Sequence, residues 1–322
     1  MSDIQTRVVF MGTPEFAVPT LETLAQMPNV EIVSVYTSPD AVSGRGSRLL
    51  PSVIRTVADE MRLPVRTPST LRDPDEIEHL VLLEPDLVVV VAYGFILPRE
   101  VLDIPKKGSI NIHASLLPQW RGAAPIQRAL LEGDAVTGVS LMRMEEGLDT
   151  GDYCAQTMIS LEGHRSFDEV QMTLARMGAH LLKENFDEIV TGTAQWTQQN
   201  EDQVTYASKI EKRDILLSPS LPARELHNRI RASNDRAPAR MRVQGKDVRV
   251  LSAEKASRGV HDFASDMKLG SIRFKDDKVI IAGSDPAQEV LVILDVKPAG
   301  GREMPAFHWA HGMRFEGDVA WE

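Results

Sequence analysis

Arg7-Val8-Val9-Phe10-Met11-Gly12-Thr13-Pro14-Glu15-Phe16 is the stretch on which the reading of the fold turns. Its first five residues are β-branched, aromatic or long and apolar after the leading arginine, the composition of a buried strand. Gly12 breaks the run, Thr13 offers an N-cap and Pro14 stands where a first helical residue belongs, predicting a helix that carries Phe16, Val18, Leu21 and Leu24. Residues 30–37 then read as a second strand. Strand, tight turn, helix and strand in that order predict an α/β fold with a doubly wound, mainly parallel sheet of the Rossmann-like kind. The turn also excludes a common occupant of such folds. It holds one glycine, where a dinucleotide needs Gly-x-Gly-x-x-Gly for its pyrophosphate to approach the backbone, so NAD is not expected.

Outward from that start, residues 52–61 and 73–83 read as helices, and 86–92 as the near-continuous aliphatic strand expected in the middle of a parallel sheet. Tyr93-Gly94-Phe95-Ile96-Leu97 follows as an apolar turn, either the wall of a pocket for a flat ring or simple core packing. The next strand, 108–113, alternates. Ile110 and Ile112 share one face, and Asn111 and His113 the other. A polar face here means either a solvated edge or a reaction centre at the carboxyl end of a strand, where open α/β sheets bind ligands. Ala114-Ser115-Leu116-Leu117-Pro118 ends the strand, a helix is expected from Ala124 or Pro125 to Leu131, and 137–144 is another strand. Asp149 then sits in a loop between Gly147 and Gly151.

Residues 153–159 read as a strand. An amphipathic helix over 166–190 starts at a capping box, Ser166 with Glu169. Thr, Gln and Gly dominate 191–205, which has little periodicity. After a helix over 222–232, short β runs at 240–243, 248–251, 271–274, 278–282 and 290–297 predict a small barrel. The domain reading is a catalytic domain over 1–190, a linker over 191–207 and a C-terminal domain over 208–322.

The chain has 322 residues and a net charge of −10, unevenly spread. Residues 1–207 hold 16 Lys and Arg against 29 Asp and Glu, whereas 212–249 hold 10 against 4. A basic segment on an acidic protein fits either an Arg-rich solvated surface or a polyanionic partner. No apolar run approaches membrane-spanning length, and the first residues lack a basic start and apolar core, so a cytoplasmic protein with no membrane partner is expected. Cys154 is the sole cysteine, which precludes an intrachain disulfide. His308 and His311 lack accompanying carboxylates in sequence, so no metal site is expected.

Asn111, His113 and Asp149 suit one chemistry. An amide donates to an oxyanion, an imidazole donates a proton or stabilises charge, and a carboxylate sets the imidazole's state and accepts a proton. Together they fit attack of an amine on a carbonyl. Ser115 near His113 has no nucleophile elbow to position it, and Cys154 falls in a strand.

Gly12-Thr-Pro-Glu-Phe-Ala17, Gly44-Arg-Gly46, Val89-Val-Val-Ala-Tyr-Gly94, Asn111-Ile-His-Ala-Ser-Leu-Leu-Pro118, Trp120-Arg-Gly-Ala-Ala-Pro-Ile-Gln127 and Gly147-Leu-Asp-Thr-Gly-Asp152 stand in order over the first 150 residues. With Pro298-Ala-Gly300 and Met304 they resemble the methionyl-tRNA formyltransferase family, a branch of the folate-dependent formyltransferases. The resemblance implies transfer of a formyl group from 10-formyltetrahydrofolate to methionyl initiator tRNA, for translation initiation. It implies Asn111, His113 and Asp149 as the catalytic trio. Ser115, Leu116, Leu117 and Pro118 would be part of the folate site, and Tyr93, Gly94, Phe95, Ile96 and Leu97 its pterin wall. Arg45 and Arg48 would reach toward the tRNA, and the C-terminal domain would be an OB-like β-barrel that contacts it. A monomer is expected. The chain differs from the family pattern in lacking a second proline in 49–54 and the usual aromatic residues in 214–218 and 231–238.

Overall fold

The computed structural model describes residues 5–43, 48–162, 166–256, 264–284 and 289–322. The chain divides into two compact units. The first comprises residues up to Gly122, Thr137–Ile159 and Gln171–Tyr206. Its strands are β1 (Thr6–Gly12), β2 (Val30–Tyr36), β3 (Val65–Arg66), β4 (Leu87–Val91), β5 (Ser109–His113), β6 (Val136–Arg143) and β7 (Tyr153–Ser160). They form one sheet in the order β7-β6-β5-β4-β1-β2-β3. From β3 to β5 every pairing is parallel, and β6 runs antiparallel to β5. The expected doubly wound, mainly parallel sheet is therefore what the sequence forms. The order in which strands are added reverses between the parallel β1 and β4, the switch point at which such sheets open a crevice at their carboxyl ends.

Local sequence accounts for most of this. Leu87-Val88-Val89-Val90-Val91 is buried throughout, as a central strand covered on both faces must be. Val9, Met11, Val88, Val90, Tyr93 and Leu97 pack in one core cluster. Each fully buried leucine or valine side chain contributes about 1.5–3 kcal/mol, so this layer fixes the sheet. On β5, Ile110 and Ile112 are buried, and Gly178 of the helix Phe167–Thr191 lies directly over Ile112. A Cβ at 178 would stand 2.6 Å from Ile112 Cγ2, so the absence of a side chain sets how closely helix and strand approach.

One local expectation is corrected. Thr13 does not cap a helix. A 3-10 turn, Glu15–Ala17, intervenes before the helix Val18–Gln26. The Thr13 hydroxyl donates instead to Tyr93 O at 2.9 Å and lies 3.0 Å from Ser38 Oγ, tying together the two strand ends at the switch point. The loop over 38–51 contains a short hairpin, with Ala41–Ser43 antiparallel to Arg48–Leu50. Arg45 lies outside the described residues. Arg48 begins the second hairpin strand.

The second unit comprises Ala123–Val136, Ser160–Val170 and Ala207–Glu322. Its strands are β8 (Arg240–Val243), β9 (Lys246–Lys255), β10 (Ser271–Lys275), β11 (Lys278–Ala282), β12 (Val290–Pro298) and β13 (Asp318–Ala320). They pair antiparallel in the order β8-β9-β12-β11-β10-β13. The register of β9 shifts between Val250 and Ala253, the mark of a bulge. The ends meet: Arg242 N–H donates to Glu322 O at 2.6 Å, and Glu322 N–H to Arg242 O at 2.8 Å. A small, nearly closed barrel results, as expected, and the bridge between its ends protects the sheet edge there. The helix Pro125–Glu132, which lies in sequence between β5 and β6, packs in this unit against the helix Ala223–Ala232. Gln127 Nε2 donates to Ala232 O at 2.9 Å, and Asn228 Nδ2 to Leu131 O at 3.2 Å. The Ser166–Glu169 capping box forms as predicted, with Ser166 N donating to Glu169 Oε2 at 3.0 Å.

On the helix Ala223–Ala232, burial pushes the His227 imidazole down to about 4, helped by the positive charges of Arg231 and Lys255. The unfolded chain takes up this proton near pH 6.5 and the folded chain resists it until about pH 4. The neutral ring's contribution is therefore complete above pH 6.5 and is lost as pH falls toward 4, by up to about 3 kcal/mol. Denaturant unfolding at a series of pH values should show a His227→Gln chain with a shallower loss over that window. An identical slope in both chains would count against it.

Candidate active site

The site is assembled on the polar face of β5. Asn111 and His113 extend from that face, and the loop between β6 and β7 brings Asp149 to both. Asn111 Nδ2 lies 3.4 Å from Asp149 Oδ1, and His113 Nδ1 lies 3.6 Å from Asp149 Oδ2. The residues predicted to act together are thus side by side, although 36 residues separate His113 from Asp149 in sequence. His113 is buried and Asn111 half-buried. The histidine's other nitrogen, Nε2, stands 3.0 Å from Trp120 O. A carbonyl only accepts, so Nε2 carries a proton, and Nδ1 is left as the ring atom where a proton arrives or leaves opposite Asp149.

Asp149 is held from several sides. Gly122 N–H donates to its Oδ2 at 2.8 Å. Its backbone adopts φ +53°, a left-handed conformation unfavourable for a residue with a Cβ. Gln199 Nε2 donates to both Asp149 O, at 2.8 Å, and Gly151 O, at 2.7 Å. Arg121 Nε donates in turn to Gln199 Oε1 at 2.9 Å, and its outer nitrogens reach Glu201 at 2.8 and 3.3 Å. Thr205 fixes the intervening backbone, accepting from Trp120 N at its hydroxyl and from Arg121 N at its carbonyl, both at 2.9 Å. Trp120, Arg121, Gly122, Gln199 and Thr205 are absent from the sequence-based site. The family-like run at 120–127 marked the first three as notable. The polar stretch holding the last two carries no hydrophobic period by which burial could be read.

The residues expected around the folate separate into two groups. Tyr93 and Leu97 are buried in the core cluster, Ser115 and Leu117 are also buried, and Ser115 Oγ donates to Gln119 O at 2.5 Å. Leu117 is anchored from behind, its N–H donating to Ser140 Oγ at 3.1 Å and its carbonyl accepting from Gln156 at 2.9 Å. Gly94, with φ +87°, and Ile96 are exposed, while Phe95, Leu116 and Pro118 are half-buried. Phe95 packs its ring 5.1 Å from that of Tyr93. The Tyr93–Leu97 turn thus supplies both core and exposed apolar surface, where the sequence reading posed these as alternatives.

Burial pushes the Cys154 thiol up to about 11, far from a thiolate at neutral pH. Among the described residues, no group of three or more His, Cys, Asp or Glu is placed to hold a metal ion. His311 Nε2 pairs with Asp277 at 3.2 Å, and the His308 ring lies tilted against Phe307. No helix among the described residues is long and apolar enough to cross a membrane.

Sheet, barrel and site together define a formyl transferase: the family of that description matches residues 6–185, and its C-terminal domain matches 209–314. A relative from Halorhodospira halophila is 42% identical over 96% of this chain and 96% of its own length, and one from Methylococcus capsulatus is 44% identical over 93% and 94%. Both are methionyl-tRNA formyltransferases, and the chain belongs to that family. The fold is shared more widely. An N-formyltransferase from Helicobacter canadensis, solved with folinic acid and dTDP-3-aminofucose, superposes with a TM-score of 0.64 at 17% identity, covering 90% of this chain and 99% of its own.

Proposed function

We propose that Asn111, His113 and Asp149 carry the transfer of a formyl group from a folate donor to the amino group of methionyl-tRNA. The carrying observation is that one carboxylate meets both an amide and the free nitrogen of an oriented imidazole on a single strand face. The amine of the esterified methionine attacks the formyl carbon, a C–N bond forms, and the formyl oxygen takes the negative charge. Asn111 Nδ2 keeps one N–H for that oxygen beyond the one turned to Asp149, and a protonated His113 adds positive charge. Asp149 receives the proton lost by the amine, directly or by way of His113. The adduct then collapses as the bond to the folate nitrogen breaks, and that nitrogen leaves with the proton that Asp149 received from the amine, returned directly or by way of His113.

The donor in this reading is 10-formyltetrahydrofolate and the acceptor is initiator methionyl-tRNA, for translation initiation. Exposed Gly94 and Ile96 with Phe95, Leu116 and Pro118 face the folate, while buried Tyr93, Leu97, Ser115 and Leu117 shape the wall from behind. Arg45, Arg48 and the basic stretch 212–249 supply phosphate contacts. The protein works as a cytoplasmic monomer, with a catalytic domain over 1–190, a connection over 191–207 whose Gln199 and Thr205 bond to the site, and tRNA binding in 208–322.

Formyl transfer from 10-formyltetrahydrofolate to charged initiator tRNA tests this, with uncharged tRNA and an amino-sugar nucleotide as controls. Product is expected on charged tRNA alone, at a subsaturating rate that falls steeply with added salt because phosphate contacts release counterions. Transfer to the amino sugar in preference to the tRNA would overturn the acceptor assignment.

A further inference from the structure

We propose that Arg121 and Gln199 are a positioning couple that holds the Asp149 loop in register for proton transfer, making segment 199–205 part of the catalytic apparatus. The inference rests on the acid–base role given to Asp149 above.

Chemistry fixes the orientation of Gln199. An arginine only donates and a backbone carbonyl only accepts, so Oε1 faces Arg121 Nε and the amide NH2 faces Asp149 O and Gly151 O. Both N–H groups of one side chain therefore grip the loop on either side of Thr150. The grip acts on a residue whose left-handed backbone favours another conformation when released.

Arg121 holds the other side of the site. Its side chain is 2% exposed, and its guanidinium anchors Gln199 and ends on Glu201, whose side chain is 71% exposed. The hydrogen bond from Arg121 is the leading cause holding the Glu201 carboxyl below the ordinary carboxylate range, so the pair persists at neutral pH. Its chain neighbours meanwhile touch the reacting groups themselves: Trp120 O accepts the hydrogen bond from His113 Nε2 and Gly122 N–H donates to Asp149 Oδ2. One guanidinium thereby locks the backbone that orients the histidine and, through one amide, the loop that carries the aspartate. Positive charge on Arg121 also polarises the Gln199 amide and strengthens its two outgoing hydrogen bonds.

Gln199→Glu separates positioning from packing, because it keeps the size and the Arg121 contact but replaces both donors by acceptors facing carbonyl oxygens. The expected result at pH 8 is a kcat lower by about 100-fold with KM for folate and tRNA within about twofold, since misplacement by about 1 Å costs that much. Protonation of the new carboxyl returns one donor, so the ratio of variant to parent kcat should rise as pH is lowered, which a packing defect would not produce. Arg121→Lys is the second variant, expected to lose about tenfold in kcat because one ammonium cannot reproduce the fork. Unchanged kcat in Gln199→Glu, or a loss confined to KM, overturns the positioning role. Asp149→Asn run in parallel distinguishes the two failures. Near-parental turnover there removes the acid–base reading and this inference with it, whereas an inactive Asp149→Asn beside a fully active Gln199→Glu removes this inference alone.

Discussion

Asp149→Asn is expected to lower turnover by about two to four orders of magnitude while leaving KM for tRNA within a few-fold. The substitution preserves shape, so the Gly122 N–H bond to Oδ2 is retained in one amide orientation. The amide removes the negative charge opposite His113 Nδ1 and the acceptor for the amine's proton, and loss of a general base of this kind typically costs about 10²–10⁴. Asn111 meets the loss as well, since its own amide then faces another amide at a 3.4 Å position built for a carboxylate. Steady-state kinetics with charged tRNA provide the measurement, and a kcat within threefold of the parent would sink the assignment of the trio.

Gly151→Ala should be nearly as harmful to turnover for a different reason. A Cβ at 151 would stand 2.1 Å from Arg143 O, a backbone atom that cannot rotate away. Arg143 N–H is itself bonded to Asp152 O at 2.8 Å, so the two chain segments are already drawn together there. The loop must lift, carrying Asp149 from its partners, and a displacement of about 1 Å costs about 100-fold in rate. Stability should fall by about 1–3 kcal/mol, the usual range for forcing extra atoms into a packed region. Circular dichroism melts beside kinetics check both parts. A parental kcat together with a parental melting temperature would show that the loop accommodates the methyl group and does not need this close approach.

Much of this was legible because the residues obeyed local rules. Five consecutive aliphatics gave the central strand, Ser166 with Glu169 gave a helix start, and alternation on β5 put Asn111 and His113 on one face. Asp149 announced itself only through its glycine-bracketed loop and the resemblance; nothing in spacing shows that a loop 36 residues on folds back over β5. Thr13 failed as a cap because the chain enters a 3-10 turn at Glu15–Ala17 with Pro14 at its N-cap position, and the Thr13 hydroxyl is turned to a distant carbonyl, Tyr93 O. Ala41-Val42-Ser43 is too short, in too turn-rich a setting, to signal a hairpin. Gln199 was invisible for a deeper reason. It is buried by hydrogen bonds rather than by apolar area, and sequence periodicity reports only the latter.

The burial of Gln199 decides where a catalytic fragment of this chain can be cut. A boundary at residue 190 looks natural, since a long helix ends at Thr191 and the next residues are polar and aperiodic. It would nevertheless discard Gln199, Glu201 and Thr205, leaving Arg121 as a buried cation without its carboxylate and two loop carbonyls without their donor. Uncompensated buried charge is strongly destabilising. An excised enzyme unit should therefore run through Thr205, and a chimera that exchanges tRNA-binding modules should place its junction beyond that residue.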